Sequence, residues 1–222
     1  MENNGRSHDV KRRSFIKKSV ATAVAGTLPA PFIWASGAHA ADTVKMGILH
    51  SVTGTIALAE KSVVDAEMLA VEEINAAGGV LRKQLEIVRY DTQSDNRRFQ
   101  EFARRLIKKD KVDVVFGAFS SASRESIRGI MEKGKMLYFY NNQYEGGVCS
   151  KTTFVTGAVP EQQFSTLVPW MMEKYGKNVY TIAADYNFGQ ISAEWVRQIV
   201  KESGGTMVGE EFIPPVSYTH LR

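Results

Sequence analysis

Short apolar runs alternate along the chain with longer segments in which apolar residues recur at helical spacing, and Gly, Asn or Asp marks each transition. The runs predict strands over residues 44–49, 85–90, 112–116, 136–140, 178–184 and 206–213, with a helix between most neighbouring strands. Alternation of this kind is typical of parallel sheets built from βαβ units. The run over 112–116 is continuously apolar, as a strand covered on both faces requires. The pattern therefore predicts an α/β fold.

Local signals place the ends of the predicted helices. The first helix carries Val64, Met68, Val71 and Ile74 at helical spacing and ends at a Gly-Gly pair, where glycine supplies the positive φ of many helix C-termini. Further boundaries are expected at Asp95 as an N-cap, at Ser121 or Ser123 as the cap of a helix to about Lys133, at Pro160, and at Ser192 for a helix to about Glu202.

The spacing of these elements divides the chain into four parts. Residues 1–40 form a leader, 41–152 a complete first lobe and 153–215 the beginning of a second lobe, while 216–222 continue neither pattern. An α/β lobe normally needs about four strands for a covered core, and the second set offers two or three. We therefore expect poor solubility or weak binding from the chain as it stands.

The leader has the features of an export signal. Residues 11–18 are basic and contain the consecutive pair Arg12 and Arg13, a small-residue apolar stretch follows to Trp34, and Ala38 and Ala40 supply the small residues that signal peptidase needs. The leader resembles a twin-arginine signal, which implies passage through the twin-arginine translocase, cleavage near Ala40 and a periplasmic location. The apolar stretch is shorter than the roughly 20 residues of a membrane span.

Composition and charge exclude several classes of protein. The 44% hydrophobic and 10% aromatic residues can bury a core, which excludes low-complexity disorder. The net charge of +4 lies entirely in residues 1–40, which hold six Lys or Arg against two Asp or Glu; the rest balances 22 against 22. The neutral remainder of the chain has no excess of positive charge for binding nucleic acid. Cys149 is the single cysteine and cannot form an intrachain disulfide, and we expect it to be a small buried residue.

Three loops follow predicted strands at the edge where open parallel sheets bind ligands. They are residues 50–55, 119–124 and 141–146, and all are rich in hydroxyl and amide groups. Such groups suit a small polar ligand, because uncharged donors and acceptors match it without burying a net charge.

These loops and the segment after the first helix carry a family resemblance. Residues 47–54, 72–80, 115–124 and 140–146 are similar to type I periplasmic binding proteins of ABC importers, and the Tyr-Glu-Gly loop over 144–146 resembles the urea and short-chain amide branch. The similarity extends over nearly all of residues 43–213. It implies two Rossmann-like lobes on a hinge that close over a ligand, and it implies that much of the second lobe is missing.

The resemblance also implies binding residues. Ser121 matches the serine that bonds the ligand at the helix after the third strand, with Ser120 beside it, and Tyr140 and Asn142 match positions after the fourth strand. Phe119 and Phe188 stand where family members often have tyrosine, which makes the pocket less polar than a short-amide site. Further expectations are a pocket role for His50, a structural role for Glu145, and an Arg124 side chain directed away from the cleft.

An enzyme is not expected. The sequence has no Gly-x-Ser-x-Gly elbow, no His-Glu-x-x-His zinc helix and no phosphate-binding Gly-x-x-x-x-Gly-Lys-Ser/Thr loop, and no cofactor or metal is implied. Ser121, His50 and Asp185 could be imagined as a catalytic set, but their spacing does not support it.

The resemblance therefore implies a periplasmic solute-binding protein that delivers urea or a short-chain amide to an ABC permease and its ATPase. The alternatives are a binding protein for branched-chain or other aliphatic amino acids and a ligand-sensing receptor domain.

Overall fold

The computed structural model describes residues 43–214, and the predicted leader and the tail over 216–222 lie outside them. The described chain forms a five-stranded sheet followed by a two-stranded sheet, and all the strand pairs are parallel. The predicted α/β fold is confirmed. Among residues 43–214, no helix is long and apolar enough to cross a membrane.

The first sheet has the strand order β2-β1-β3-β4-β5. Its elements are β1 (Val44–His50), α1 (Ala57–Ala76), β2 (Leu85–Asp91), α2 (Asn96–Arg105) with a π-helical turn (Leu106–Asp110), β3 (Val114–Gly117), α3 (Ser121–Lys133), β4 (Leu137–Tyr140) and β5 (Thr153–Val155). The second set comprises α4 (Pro160–Tyr175), β6 (Asn178–Ala184), α5 (Asn187–Glu202) and β7 (Thr206–Ile213).

The three-residue strand β5 was not predicted. It pairs with β4 in the first sheet, so that sheet extends past the boundary expected at residue 152. Three residues are too few to show the alternation of apolar and polar positions that marks a strand in a sequence. The strand is defined by its pairing with β4.

The two faces of the first sheet are covered unequally. Helices α2 and α3 pack on one face in a core around Leu49, Val115 and Tyr138, all of which are fully buried. On the other face α1 contributes Val64 and Val71 against β1. Burial of side chains such as these contributes about 1.5–3 kcal/mol each.

Aromatic side chains of β3, β4 and β5 form a stacked row on the second face. The rings of Phe116 and Phe139 stack at 4.9 Å between centroids, and those of Phe139 and Phe154 at 5.2 Å. Phe154 remains 45% exposed. An apolar groove of about 870 Å³ lies between this part of the sheet and α1.

In the second set, α4 and α5 pack on one side of β6 and β7. Their core contains Val168, Met172, Ile199 and Val200. On the strands, Tyr180, Ile182 and Val208 remain exposed.

The helix starts confirm two sequence expectations and correct two others. Asp95 caps α2 by accepting hydrogen bonds from the backbone N–H groups of Arg97 and Arg98, and α4 begins at Pro160. The cap of α3 is Ser120, not Ser121 or Ser123: its hydroxyl oxygen accepts the backbone N–H of Ser123 at 3.1 Å.

Helix α5 begins at Asn187, ahead of the expected Ser192. Tyr186 is extended and precedes the helix directly, and Gly189 lets the first turn lie close to β6. A Cβ at Gly189 would come within 2.0 Å of the Ala184 carbonyl oxygen, so this close approach requires glycine.

Candidate functional site

The carboxyl ends of β1, β3 and β4 lie at one edge of the first sheet because the strands are parallel and adjacent. The backbone turns sharply after β3, where Gly117 and Ala118 both have positive φ. A Cβ on Gly117 would lie 2.2 Å from the Leu49 carbonyl oxygen. This turn directs Phe119 and the start of α3 toward the loop after β4.

Five of the predicted site residues come together at this edge: Phe119, Ser120, Ser121, Tyr140 and Asn142. The Phe119 carbonyl oxygen accepts hydrogen bonds from the Tyr140 hydroxyl at 2.5 Å and from the Asn142 side-chain amide at 2.8 Å. Burial raises the pKa of Tyr140 to about 12, so its phenol is neutral at physiological pH. The two side chains thus fasten the loop after β3 to the loop after β4.

Ser121 lies at the centre of a buried polar cluster that also contains Arg124 and Glu145. The Ser121 hydroxyl donates to Glu145 Oε2, and Arg124 Nη2 donates to Glu145 Oε1 at 2.5 Å. The Arg124 guanidinium also lies over the rings of Tyr140 and Tyr144, at 5.0 and 5.4 Å from their centroids. Only 1% of Arg124 is exposed, so the expectation that this side chain points away from the cleft is wrong.

The charges in this cluster stabilise each other. Burial alone would raise the pKa of Glu145, but hydrogen bonds from Arg124 and Ser121 outweigh burial and lower it. The pKa of Arg124 is raised in the same way, since its bond to Glu145 outweighs burial. Both groups are therefore ionised at physiological pH.

The second lobe faces this cluster with the residues that precede and begin α5. Burial and the charge of Glu145 raise the pKa of the Tyr186 phenol. The ring of Phe188, the predicted contact from this lobe, lies 6.4 Å from that of Tyr186. A crevice of about 420 Å³ has Arg124 and Glu145 on one wall and Asn187 and Ile191 on the other.

His50 occupies a separate buried cluster at the end of β1. Its Nδ1 lies 2.8 Å from Glu60 Oε2 and its Nε2 lies 3.3 Å from Glu67 Oε1. Burial lowers the pKa of His50, but the bonds and charges of the two glutamates outweigh burial and raise it to about 9. His50 is therefore an imidazolium whose two N–H groups are both engaged, which leaves neither for a ligand.

Glu67 connects the His50 cluster to the loop after β4. Its Oε1 also accepts the side-chain amide of Asn141 at 2.7 Å. Glu60 likewise holds the loop after β1, since its Oε2 accepts the backbone N–H of Ser51 at 2.7 Å. The cluster fixes two of the loops that border the candidate site.

Sequence reasoning missed Arg124, Glu60 and Glu67 as buried residues and Tyr186 as a neighbour of the first lobe. A signal was present for the three charged residues. Arg124 precedes the buried Ile127 by three positions, and Glu60 and Glu67 lie four before and three after the buried Val64, on the inner helix faces. Cys149 is exposed, so the expectation of a buried thiol is wrong.

Two kinds of site lack support. Among residues 43–214, no group of three or more His, Cys, Asp or Glu side chains is arranged to hold a metal ion. The groove beside α1 lies on a face of the sheet instead of its carboxyl edge, and apolar residues such as Val71 and Phe116 line most of it. The carboxyl edge is the better candidate for a polar ligand.

Comparison with known proteins identifies the family of the chain. The chain matches the model of the periplasmic binding protein domain family over residues 44–219. It is 31% identical over 218 residues to the Leu/Ile/Val-binding protein homolog 7 of Brucella suis, covering 91% of this chain and 51% of the relative. It is 28% identical to a leucine-, isoleucine-, valine-, threonine- and alanine-binding protein of Pseudomonas aeruginosa, covering 77% of this chain and 47% of the relative.

Solved structures show the same fold. The branched-chain amino acid transporter substrate binding protein of Streptococcus pneumoniae, in complex with isoleucine, superimposes with a TM-score of 0.73 at 23% identity, covering 81% of this chain and 52% of that one. The chain thus spans about half the length of the curated relatives it matches. These relatives are binding proteins by name, in agreement with the expectation that the chain is not an enzyme. By its parallel-sheet fold and its match over most of its length, the chain belongs to the periplasmic binding protein domain family.

Proposed function

We propose that this chain is part of a periplasmic solute-binding protein that captures a small polar solute and delivers it to the permease and ATPase of an ABC importer. The observation that carries the proposal is the crevice that has Arg124 and Glu145 of the first lobe on one wall and Asn187 and Ile191 of α5 on the other. Open parallel sheets bind ligands at the carboxyl edge of their strands. Family membership supports the same function.

Lobe closure is the proposed mechanism. A solute that touches both the edge around Phe119 and the loop around Phe188 stabilises the closed arrangement by its higher affinity for that state. The permease then recognises the closed form. Export through the twin-arginine translocase, with cleavage near Ala40, belongs to the same proposal and rests on the leader sequence.

An aliphatic amino acid is the first candidate for the solute. The names of the relatives in Brucella suis and Pseudomonas aeruginosa specify leucine, isoleucine and valine, and the second adds threonine and alanine. Family members often have tyrosine where this chain has Phe119 and Phe188. A phenylalanine ring carries no hydroxyl and therefore suits an aliphatic side chain better.

Urea or a short-chain amide is the second candidate, and a specific observation favours it. The Ser121 hydroxyl and the Arg124 guanidinium, which could together hold a carboxylate, are already bonded to Glu145. A neutral solute needs no such cationic partner.

Isothermal titration calorimetry of the full-length protein tests the proposal. The panel contains leucine, isoleucine, valine, alanine, urea, acetamide and propionamide, and the account predicts saturable binding of at least one of them. The variant Tyr186→Ala removes a ring at the cleft and should weaken that binding about tenfold. The control Tyr175→Ala removes an exposed ring from α4 and should leave it unchanged. Absence of binding across the panel would argue against the proposed function.

A further inference from the structure

Glu145 places a carboxylate of the protein itself at the start of α3. Its Oε2 accepts the Ser121 hydroxyl and Arg124 Nη1, the latter at 3.4 Å, and its Oε1 accepts Arg124 Nη2 at 2.5 Å. No more than 6% of Ser121, Arg124 or Glu145 is exposed. This is the geometry in which a guanidinium and a hydroxyl bind an acid, with the acid supplied by the chain.

The Arg124 side chain has no donor nitrogen free of partners. Its Nε donates to Glu125 Oε1 at 3.0 Å, and its two terminal nitrogens serve Ser121 and Glu145. A ligand carboxylate at Ser121 would therefore meet the negative charge of Glu145 without a cation to compensate it. A buried charge without a partner, or beside a like charge, is strongly disfavoured.

The cluster borders the space between the lobes. Arg124 and Glu145 form one wall of the crevice, and Asn187 and Ile191 of α5 form the other. Burial and the charge of Glu145 raise the pKa of Tyr186. A solute held between the lobes would lie within reach of this wall.

We propose that Glu145 sets the charge of the ligand group accepted at Ser121: it occupies the donors of Ser121 and Arg124, so the site takes an uncharged amide or hydroxyl there and rejects a carboxylate. This inference rests on the proposed function for the position of the cleft. An amide can bind with its polar end at Ser121, whereas an amino acid must place its carboxylate elsewhere in the cleft. Glu145 is thus a specificity-determining residue.

A pair of ligands of the same shape, one a neutral amide and the other a carboxylate, tests the inference. Propionamide and propionate are titrated into the full-length protein and into two variants, Glu145→Gln and the control Glu125→Gln. Glu125 also bonds Arg124 but is 29% exposed in its side chain and has no bond to Ser121. We expect the parent to favour propionamide, Glu145→Gln to reduce that preference by at least about tenfold, and Glu125→Gln to keep it.

A purely structural role for Glu145 would weaken both ligands equally and leave their ratio unchanged. That result, or a parent protein that prefers propionate, would overturn the inference. Because Glu145→Gln leaves a buried arginine without its carboxylate and could prevent folding, the double variant Arg124→Met with Glu145→Gln removes both charges. Because the charge of Glu145 is gone, this variant should also show a smaller preference for propionamide than the parent, and an unchanged preference would overturn the inference.

A second measurement needs no knowledge of the natural solute. In Glu145→Ala the donors of Ser121 and Arg124 lose their carboxylate, so added acetate should raise the melting temperature in a saturable manner while acetamide should not. The parent and Glu125→Ala should not respond to acetate. If acetate leaves the melting temperature of Glu145→Ala unchanged, the inference is overturned. Absence of binding across the calorimetric panel, together with acetate rescue, would instead count against the proposed function alone.

Discussion

The His50 cluster makes the stability of the protein depend on pH in a defined window. The pKa of His50 rises from 6.5 to about 9 on folding, because the bonds and charges of Glu60 and Glu67 outweigh the effect of burial. At about 1.4 kcal/mol per pH unit, this rise contributes about 3 kcal/mol to the free energy of unfolding. His50 is only 2% exposed, so solvent screens little of this contribution.

The sign follows from the direction of the rise. The folded protein holds the proton more tightly, so the contribution is complete below pH 6.5 and disappears as the pH rises through 9. Urea unfolding of the full-length protein at a series of pH values from 6 to 10 measures it. The free energy of unfolding should fall by about 3 kcal/mol across this range.

The variant His50→Gln provides the control, since glutamine can occupy the site but does not titrate. Its unfolding free energy should lack the decline between pH 6.5 and 9. His50 is the sole histidine among residues 43–214, so no other described imidazole can produce the same trend. Parallel pH profiles for the parent and His50→Gln would refute the assignment.

Three further substitutions test the packing around the site, each by urea unfolding against the parent protein. Arg124→Met should lower the free energy of unfolding by about 3–5 kcal/mol, because it leaves the buried Glu145 carboxylate without its cation. Arg128→Met breaks only partly exposed ion pairs and should cost at most about 1 kcal/mol. Equal losses would contradict the burial of the pair between Arg124 and Glu145. Asp95→Ala should cost about 1 kcal/mol through loss of the α2 cap, and an unchanged midpoint would argue against that cap. Gly117→Ala should cost more than Asp95→Ala, because its Cβ would meet a β1 carbonyl oxygen at 2.2 Å, and a neutral effect would exclude the close approach.

Much of the fold follows from local pattern. Continuous apolar runs over 112–116 and 136–140 predict central strands, and Asp95 and Pro160 mark helix starts, because caps and apolar periods are local properties of the sequence. Strand β5 could not be predicted in this way. Its three residues form a strand through pairing with β4, which is a property of the assembled sheet.

The candidate site was predictable in position but not in chemistry. The order of the strands places Phe119, Ser121 and Tyr140 at one edge, and this much follows from a parallel sheet. Charged residues are usually exposed, and the sequence alone predicts an Arg124 side chain directed away from the cleft. Its burial depends on Glu145, which lies 21 residues away in the sequence and meets it only once α3 and the loop after β4 have come together.

A crystal structure of the full-length protein with the tightest-binding member of the calorimetric panel tests the central claim most directly. The account predicts electron density for the solute between the carboxyl edge of the first sheet, at Phe119 and Tyr140, and the second-lobe residues Tyr186 and Phe188. Density for the solute in the apolar groove between α1 and Phe116, with none at the carboxyl edge, would contradict it.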